Sequence, residues 1–319
     1  MWQMQITPAN LQKKAQILHN IRAFFMSRNV CEVDVPILSQ APVTDPFLDN
    51  FKISFAYSAP CDGDTIYYLQ TSPEYGMKRM LASGSGDIYY LGKAFRHEPQ
   101  SPQHNPEFTM LEWYRIGFDD RTLMHEVAAL LEATLGVTAV EYLAYDEAFL
   151  QYCQIDIWTA THQELVACYT SECTYDLLAE SRDHVLQLLF SEQIEPKVGK
   201  STPCFIYDFP ASQSALAKLK ASEQHKAHRF EVYFKGLELA NGYYELTDPE
   251  QLQQRWQRDN ATRQKQGLPQ MPHDERLVAA LHSGLPDCAG VALGVDRLLM
   301  LALAASDIQS TLAFGFTDA

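Results

Sequence analysis

The segment from residue 91 to residue 116, LGKAFRHEPQSPQHNPEFTMLEWYRI, constrains the fold more than any other part of this sequence. It predicts a strand, a charged loop and a returning strand, and from Phe108 onward the returning strand alternates between two faces. One of these faces carries Phe108, Met110, Glu112 and Tyr114. A strand that only covered a core would not bury Glu112 unpaired, because an uncompensated buried carboxylate is costly. The hairpin therefore predicts a binding site in which Glu112 awaits a cation.

Composition limits the class of protein. With 319 residues and a hydrophobic content of 46%, the chain can bury a large core as one domain or at most two. No internal repeat, low-complexity segment or Gly/Ser linker marks a boundary, so we expect a single domain over residues 1–319. No run approaches the ~18 consecutive apolar residues of a membrane span, and the first residues do not resemble a signal peptide. The expectation is a soluble, cytoplasmic protein without a membrane partner.

Cysteine, histidine and charge patterns argue against several kinds of site. The seven cysteines form an odd, scattered set without a CxxC pair, which disfavours a disulfide framework and a zinc ribbon. His97 and His104 lie in a loop that lacks the ligand spacing of a zinc site. A net charge of −15 opposes the phosphate backbone of a nucleic acid. A basic protein partner therefore fits better than RNA.

Other segments carry helix or strand signals of their own. The predicted helices are 10–28 with Asn10 as a candidate cap, 72–84 with Glu74 near its start, 121–136 ending at Gly136, and several short helices in an insert at about 145–195. The predicted strands are 31–38, with Pro36 at an edge or end, and the pair RFEVYFKGLELANGYYEL at 229–246. A hydrophobic helix follows the glycine-studded GVALGVDR at 290–297. The insert shows no chemistry of its own.

Several of these features have a plain alternative. Glu231, Glu238 and Glu245 recur every seven residues, and charges spaced along a strand are usually a solvated face. Arg297 could be an ordinary salt-bridge partner, the small residues of GVALGVDR could let a helix approach a sheet, and a single Phe108 is more often core than cofactor contact. Apolar neighbours around the three glutamates weaken the solvated-face interpretation. The order in which the motifs occur along the chain, and their occurrence together, favour a functional site.

The motifs occur in the order of a known family. A proline-containing strand, then FRHE with its loop and HNPEF, then GVALGVDR resemble motifs 1, 2 and 3 of the class II aminoacyl-tRNA synthetases. TSPEYGMKR, FRHE…HNPEFTMLEWY and ELANGYYEL are similar to the lysyl subgroup, and this similarity spans nearly all of residues 10–305. The resemblance implies an α+β fold with a six-stranded, mainly antiparallel sheet flanked by helices. It also implies a twofold homodimer built through motif 1.

The resemblance further implies an activity. The helix predicted near residue 10 leaves no room for the N-terminal OB-fold with which bacterial lysyl-tRNA synthetases grip the anticodon. The chain thus resembles the truncated, lysyl-synthetase-like ligases that attach (R)-β-lysine to a lysine of elongation factor P. Such a ligase uses ATP and Mg²⁺ to form an aminoacyl-adenylate, accepts lysine less well, and releases AMP and diphosphate. Elongation factor P is then the acceptor, and stable tRNA binding is not expected.

Residue types in and after the hairpin suit the chemistry of ATP. When a carboxylate attacks the α-phosphorus, a cation should hold both reacting groups, and the planar fork of Arg96, the predicted catalytic residue, suits that task. The family places Phe108 and Arg297 on opposite sides of the adenine and Glu98 at its amine. The ATP-binding residues so implied are Arg96, Glu98, Asn105, Phe108, Glu238, Leu239, Gly294 and Arg297, and the implied magnesium ligands are Glu231 and Glu238.

A diamino acid has its own set of implied contacts. The family match puts Glu74 near the amine next to the carboxylate, and Glu112, Tyr114 and Glu245 around the terminal ammonium. At an effective dielectric of about 20, each close pair contributes on the order of 4 kcal/mol before desolvation, which favours lysine-like substrates. Ala292 stands where lysyl-tRNA synthetases typically have glycine, which is consistent with a reshaped pocket. The implied substrate-binding residues are Ser72, Glu74, Glu112, Tyr114, Asn241, Glu245 and Ala292.

Three functions are compatible with the sequence. The first is the protein-modifying ligase. The second is a minimal lysyl-tRNA synthetase, which the net negative charge disfavours. The third is a non-catalytic regulator that keeps the fold and binds a partner. Arg96, Arg297, Phe108 and the pocket glutamates are all present, which favours an active enzyme over the regulator.

Overall fold

An eight-stranded sheet forms the centre of the structure, a computed structural model that describes residues 2–55, 65–171 and 176–318. The strands in chain order are β1 (Cys31–Glu32), β2 (Leu38–Ser39), β3 (Lys52–Phe55), β4 (Thr65–Leu69), β5 (Ile88–Phe95), β6 (Glu107–Ile116), β7 (Glu141–Ala144), β8 (Cys204–Tyr207), β9 (Arg229–Phe234), β10 (Leu237–Tyr244) and β11 (Cys288–Gly294). The helices are α1 (Pro8–Met26), α2 (Glu74–Ala82), α3 (Asp120–Leu135), α4 (Tyr145–Cys153), α5 (His162–Ala167), α6 (Arg182–Leu189), α7 (Pro249–Lys265), α8 (Glu275–Gly284) and α9 (Val295–Leu303).

The strand order of the central sheet is β1-β5-β6-β11-β10-β9-β8-β7, and β2, β4 and β3 form a separate three-stranded sheet. From β5 to β8 every neighbouring pair is antiparallel, whereas β1 pairs with β5 and β7 pairs with β8 in parallel. The mainly antiparallel α+β class is confirmed, but the predicted count of six strands was wrong. Edge strands of two and four residues show too little alternation for a sequence pattern to predict them.

Cross-strand register aligns a row of polar residues on one face of the sheet. Glu112 of β6 lies opposite Ala292 of β11, Ala292 lies opposite Asn241 of β10, and Asn241 lies opposite Glu231 of β9. Directly opposite residues in antiparallel strands project to the same face. Four adjacent strands therefore place these four residues side by side, although they are far apart in the sequence.

The other face of the sheet packs on α1, α3 and α9. Trp113 of β6 is fully buried in this core, and its indole N–H donates to a carboxylate oxygen of Glu126 at 3.0 Å. Leu111 and Val291 belong to the same core, in agreement with the alternation of a β-strand. One face of the sheet is thus anchored in an apolar core, which leaves the opposite face for polar side chains.

Most predicted helices form where the sequence placed them. α2 begins at Glu74, and α3 ends before Gly136, whose φ of 70° gives the left-handed stop that glycine favours. The insert contains α4, α5 and α6. Its apolar side chains, such as Tyr145 and Phe190, form a second core with residues of β8 and β9. The insert therefore packs on the β8 end of the sheet.

Two local predictions were wrong. α1 begins at Pro8 and is capped by Thr7, whose hydroxyl oxygen accepts from the backbone N–H of Asn10. Asn10 is consequently inside the first turn and is not the cap. The strand predicted at 31–38 is divided into the short strands β1 and β2, because Pro36 between them cannot donate to a ladder.

The described residues also bear on membrane spanning and on cysteine chemistry. Over the three described ranges, no helix combines the length and the apolar character needed to cross a membrane. The cysteines described there are free thiols, namely Cys31, Cys153, Cys168, Cys204 and Cys288. Cys61 and Cys173, the other two of the seven cysteines, lie outside the described residues.

Candidate active site

A cavity of about 630 Å³ opens above the polar row of the sheet. Its walls come from the start of α2, the β5–β6 hairpin, β9, β10, β11 and the start of α9. Every residue predicted from the sequence to bind ATP, magnesium or the amino acid lines this one cavity. They are Ser72, Glu74, Arg96, Glu98, Asn105, Phe108, Glu112, Tyr114, Glu231, Glu238, Leu239, Asn241, Glu245, Ala292, Gly294 and Arg297.

Two arginines and an aromatic ring mark one end of the cavity. The Arg96 guanidinium carbon lies 5.2 Å from the centre of the Phe108 ring, and its Nε–H is buried without a hydrogen-bond partner among the described residues. Arg297 is already engaged, because Nη1 donates to the Glu238 carbonyl at 2.7 Å and Nη2 contacts His104 Nε2 at 2.8 Å. An unpaired buried donor is unfavourable. Arg96 is therefore the arginine with hydrogen-bonding capacity left for an anionic ligand.

The two histidines of the loop have different partners. His104 Nδ1 contacts the Ser101 hydroxyl at 2.8 Å, and burial together with the charge of Arg297 lowers the pKa of His104. The His97 ring packs edge-on against Phe51, with 5.1 Å between ring centres. Within the described ranges, no group of three or more His, Cys, Asp and Glu side chains is arranged to hold a metal ion.

Three residues predicted to bind ATP line the cavity as part of its scaffold. Asn105 donates to the Glu107 carbonyl at 2.6 Å and accepts from Gln309 Nε2 at 3.2 Å, which ties the loop to the C-terminal region. The Leu239 side chain belongs to the apolar core. Gly294 ends β11, and a methyl group there would meet its nearest neighbour at 3.8 Å. These three residues shape the end of the cavity that carries Arg96 and Phe108, and they offer a ligand there few free polar groups.

Glu238 of β10 and Glu245 just after it are seven residues apart, and a bulge at Leu239 allows both side chains to face the cavity. Residues an odd number apart on a regular strand point to opposite faces. In β9 and β10, Tyr233 pairs with Glu238 and Glu231 pairs with Asn241, and the register shifts at Leu239 between these pairs. The additional residue returns Glu238 to the face that carries Asn241 and Glu231.

The two predicted magnesium ligands differ in how much of each carboxylate is free. Glu231 is buried, its Oε1 accepts from Arg229 and from Asn241 Nδ2, and its Oε2 accepts from the Tyr233 hydroxyl. A carboxylate offers about four lone-pair positions, so one position on Oε2 is left. The Glu238 side chain is 39% exposed and faces the cavity. This pair fits Mg²⁺, which takes one or two carboxylates and otherwise binds water and phosphate oxygens.

Glu112 marks the opposite end of the cavity. It is 2% exposed, and its two oxygens accept from the Ser72 hydroxyl at 2.8 Å and from the Tyr114 hydroxyl at 2.7 Å. Burial, with a smaller contribution from the charge of Glu74, raises the pKa of Glu112 to about 8. Among the described residues, no basic side chain forms an ion pair with Glu112. The charge that this carboxylate gains on ionisation is therefore left for a cationic ligand to neutralise.

Lys78, which was not among the residues predicted from the sequence, lies between the other two glutamates of this end. Its buried Nζ is 2.5 Å from Glu74 Oε1 and 2.7 Å from Glu245 Oε2. Burial raises the pKa of Glu245 to about 7, against the opposing charge of Lys78. The four-residue spacing of Glu74 and Lys78 on α2 was the local signal for this pair. The contact with Glu245 joins distant segments and gave no such signal.

Gly290 of β11 was also missed by the sequence predictions. A Cβ atom at this position would lie 2.3 Å from Tyr114 Cε1 and 2.5 Å from Glu245 Oε1. Real Cβ atoms do not approach so closely, so a larger residue would have to displace both side chains. The small residue at position 290 thus makes room for the acidic end of the cavity. The sequence had suggested a different role for the small residues of this segment, namely close packing of a helix on the sheet.

Comparison with known proteins agrees with this geometry. The family model described as tRNA synthetases class II (D, K and N) matches residues 3–318. The chain is similar to proteins named elongation factor P–(R)-β-lysine ligase from Yersinia pestis (strain Pestoides F) and Yersinia pseudotuberculosis serotype O:3 (strain YPIII). Each is 50% identical over 315 residues, which cover 98% of this chain and 97% of the relative. The family predicted from the motifs is confirmed, and the chain belongs to the class II tRNA synthetase family of the D, K and N type.

Proposed function

We propose that this protein is an ATP-dependent ligase that activates (R)-β-lysine as an aminoacyl-adenylate and transfers it to the ε-amino group of a lysine of elongation factor P. The observation that carries the proposal is the buried, hydroxyl-bonded carboxylate of Glu112, which shares one cavity with Arg96. The name carried by the relatives at 50% identity supports the same activity. The cytoplasmic location and the homodimer predicted from the sequence belong to this proposal.

Activation brings together the amino acid and ATP, which occupy opposite ends of the cavity. A carboxylate oxygen of the amino acid attacks the α-phosphorus of ATP, an O–P bond forms, and the bond to the β-phosphate breaks as diphosphate leaves. Arg96 donates to the carboxylate and the α-phosphate, which aligns them and balances the charge that develops between them. Phe108 offers the adenine a flat face. A magnesium ion held by Glu238 and the free Oε2 position of Glu231 would neutralise charge on the phosphates.

Selection of the amino acid depends on the acidic end. Glu112 and Tyr114 receive the terminal ammonium, and Glu74 receives the amine near the carboxylate. A neutral side chain in place of the terminal ammonium would leave Glu112 buried without a counter-charge, which costs binding energy. The methyl group of Ala292 projects into the cavity beside Glu112, its cross-strand neighbour, and makes the amino acid pocket narrower than a glycine would, which suits a substrate whose amine is displaced by one carbon.

Transfer needs no nucleophile from the protein. The neutral amine of the acceptor lysine attacks the carbonyl carbon of the adenylate, a C–N bond forms, and the C–O bond breaks as AMP leaves with the electron pair. The new amide nitrogen releases one proton. The adenylate is already an activated acyl group, so a covalent enzyme intermediate is not required.

The test is ATP/diphosphate exchange with α-lysine, both β-lysine enantiomers and ornithine, followed by transfer from the best substrate to elongation factor P or to tRNA. We expect exchange to be fastest with (R)-β-lysine and the label to move to the protein. Label on tRNA would show a minimal lysyl-tRNA synthetase instead. Absence of exchange with every amino acid would favour the non-catalytic regulator and refute the proposal.

A further inference from the structure

Lys78 is the basic residue of the acidic end, and the steps above give it no role. Its side chain is 2% exposed, and its ammonium group contacts carboxylates from two segments, Glu74 at the start of α2 and Glu245 just after β10. Burial alone would lower the pKa of Lys78, but the charges of Glu245 and Glu74 outweigh burial and hold that pKa above its usual value. Lys78 is therefore a permanent cation in contact with two glutamates that line the cavity.

The charges of this end do not balance within the protein. Glu74, Glu112 and Glu245 are three carboxylates, and Lys78 is the basic side chain in direct contact with them among the described residues. Full ionisation leaves two negative charges without a partner. A ligand with two ammonium groups supplies the two missing positive charges, whereas a ligand with one leaves a buried charge uncompensated.

We propose that Lys78 is a positioning and specificity residue, which orients Glu74 and Glu245 through two ion pairs and, by neutralising one of the three carboxylates, sets a charge deficit that a ligand with two ammonium groups fills. The identification of that ligand as (R)-β-lysine rests on the proposed function, but the requirement for two ammonium groups does not. Lys78 reaches the substrate through the two glutamates and does not touch the reacting atoms.

The geometry assigns separate tasks to the three glutamates. The Glu245 side chain is 1% exposed and the Glu74 side chain is 18% exposed, so Glu74 is the more open of the two partners of Lys78. Within the described part of the chain, Glu112 is held only by the hydroxyls of Ser72 and Tyr114. Lys78 thereby neutralises the closed side of the cluster and leaves Glu112 and the open side of Glu74 to the ligand.

Among the described residues, the other cations near the cluster have carboxylate partners of their own. Charged and titratable neighbours come from α2, β5, β6, β9, β10, β11 and the segment before β9. They are Glu74, Tyr75, Tyr90, Glu112, Tyr114, Lys218, Arg229, Tyr243, Glu245 and Cys288. Arg229 forms its ion pair with Glu231. Lys218 acts on Glu245 more weakly than Lys78 does and forms its own ion pair with Asp287.

The first test compares Lys78→Met, Lys78→Arg and the wild type in ATP/diphosphate exchange as a function of pH. Without the lysine, the pKa of Glu245 loses the charge that opposes its rise, so Glu245 holds a proton to higher pH and a substrate ammonium must expel it. For Lys78→Met at pH ~7, we expect the KM for (R)-β-lysine to rise at least about tenfold, because a rise of about one pKa unit makes the carboxylate about ten times harder to deprotonate. This KM should recover toward pH ~8.5, while kcat and the KM for ATP change little. Lys78→Arg keeps the charge and should keep the pH profile.

A matched control is Lys220→Met. Lys220 also forms a partly buried ion pair, with Asp208, but Asp208 does not line the cavity, whereas Glu74 and Glu245 do. A general effect of removing an ion pair would appear in this variant as well. We expect its KM values and its pH profile to match those of the wild type, so that a shift confined to Lys78→Met reports on the site.

A second test uses 1,4-diaminobutane, whose two ammonium groups are separated by four carbons as in (R)-β-lysine and which has no carboxylate, and measures its effect on Tm. The diamine should raise the Tm of the wild type and of Lys220→Met, and at pH ~7 it should not raise the Tm of Lys78→Met.

If Lys78→Met does not fold, Lys78→Gln replaces it in both tests. A wild type that the diamine does not stabilise, or a Lys78→Met variant with unchanged diamine binding and pH profile, would overturn the inference. Diamine binding that depends on Lys78, without amino-acid-dependent exchange, would instead refute the proposed function alone.

Discussion

At the scale of single residues, the Glu112 carboxyl group is buried beside Glu74 and receives only hydroxyl hydrogen bonds. Its pKa of about 8 lies above its ordinary value of 4.5, so the native protein binds this proton more tightly than the unfolded chain does. Between these two pH values unfolding releases the proton, and the free energy of unfolding falls as the pH rises. Glu112 therefore lowers stability at alkaline pH, and its counter-charge arrives only with the ligand.

Replacement of Glu112 by glutamine should raise stability at alkaline pH and remove diamino acid binding. Glutamine keeps the shape and can still accept from Tyr114, but it has no carboxyl group to ionise. We expect the free energy of unfolding of Glu112→Gln to exceed that of the wild type by on the order of 1–2 kcal/mol near pH ~8.5, with little difference near pH ~5. Denaturant unfolding at both pH values measures this, with exposed Glu132→Gln as the control. A variant less stable than the wild type at alkaline pH would contradict the burial argument.

Arg96 should be essential for adenylate formation and dispensable for folding. Its Nε–H has no partner among the described residues, so removal of the side chain breaks no hydrogen bond to that atom. We expect Arg96→Ala to lose at least about a hundredfold in exchange rate, the scale for removal of a donor to developing charge, with an unchanged circular dichroism spectrum. Arg121→Ala, which removes an arginine stacked on Tyr207 outside the cavity, is the control. Exchange at the wild-type rate in Arg96→Ala would refute the catalytic assignment.

At the scale of elements, the features that could be predicted are those with a local period. The alternation of β6 placed Phe108 and Glu112 on one face because a strand repeats every two residues. The bulge at Leu239 left no such signal, since it breaks the period on which the prediction depends. The contact between Lys78 and Glu245 joins two distant segments. Local pattern therefore predicted the shared face of β6, and the family resemblance implied most of the other residues of the site. Their register and their counter-ion depend on tertiary structure.

The glycine of β11 that faces the cavity should control binding of the amino acid. A methyl group at Gly290 would clash with Tyr114 and Glu245, so Gly290→Ala must displace part of the acidic end. We expect its KM for (R)-β-lysine to rise at least about tenfold, which corresponds to roughly 1.4 kcal/mol, while the KM for ATP changes little. Steady-state exchange kinetics with each substrate varied in turn measure the two constants.

A second strand glycine provides the contrast for Gly290. A methyl group at Gly242 of β10 would lie 2.4 Å from Phe230 Cζ and 3.0 Å from Val291 Cβ, and both of these side chains belong to the apolar core. Gly242→Ala should therefore lower Tm more than it raises the KM for the amino acid. Equal effects of the two substitutions on KM would contradict the assignment of the two faces.

At the scale of the whole molecule, the central sheet separates stability from chemistry. One face is held by an apolar core that includes Trp113 and residues of α1, α3 and α9, while the other carries Glu112, Asn241 and Glu231 in register. Because both faces belong to the same strands, the core fixes the strand positions that align the polar row. The rigidity that a two-ended cavity needs is thus supplied from the opposite side of the sheet.

Association into a homodimer is the remaining expectation at this scale. Ile37, Leu38, Phe47 and Ile66 are each at least 42% exposed, and they lie in or beside the three-stranded sheet that follows the motif 1 strand. Ile37 and Leu38 are consecutive, and exposed apolar side chains of this kind mark interfaces, because they leave water when a second copy covers them. We expect a dimer of the 36.2 kDa chain in sedimentation velocity and a monomer for the double variant Ile37→Glu, Leu38→Glu. Leu150→Glu, at an exposed position of the insert, should stay dimeric. A monomeric wild type would show that these side chains have another role.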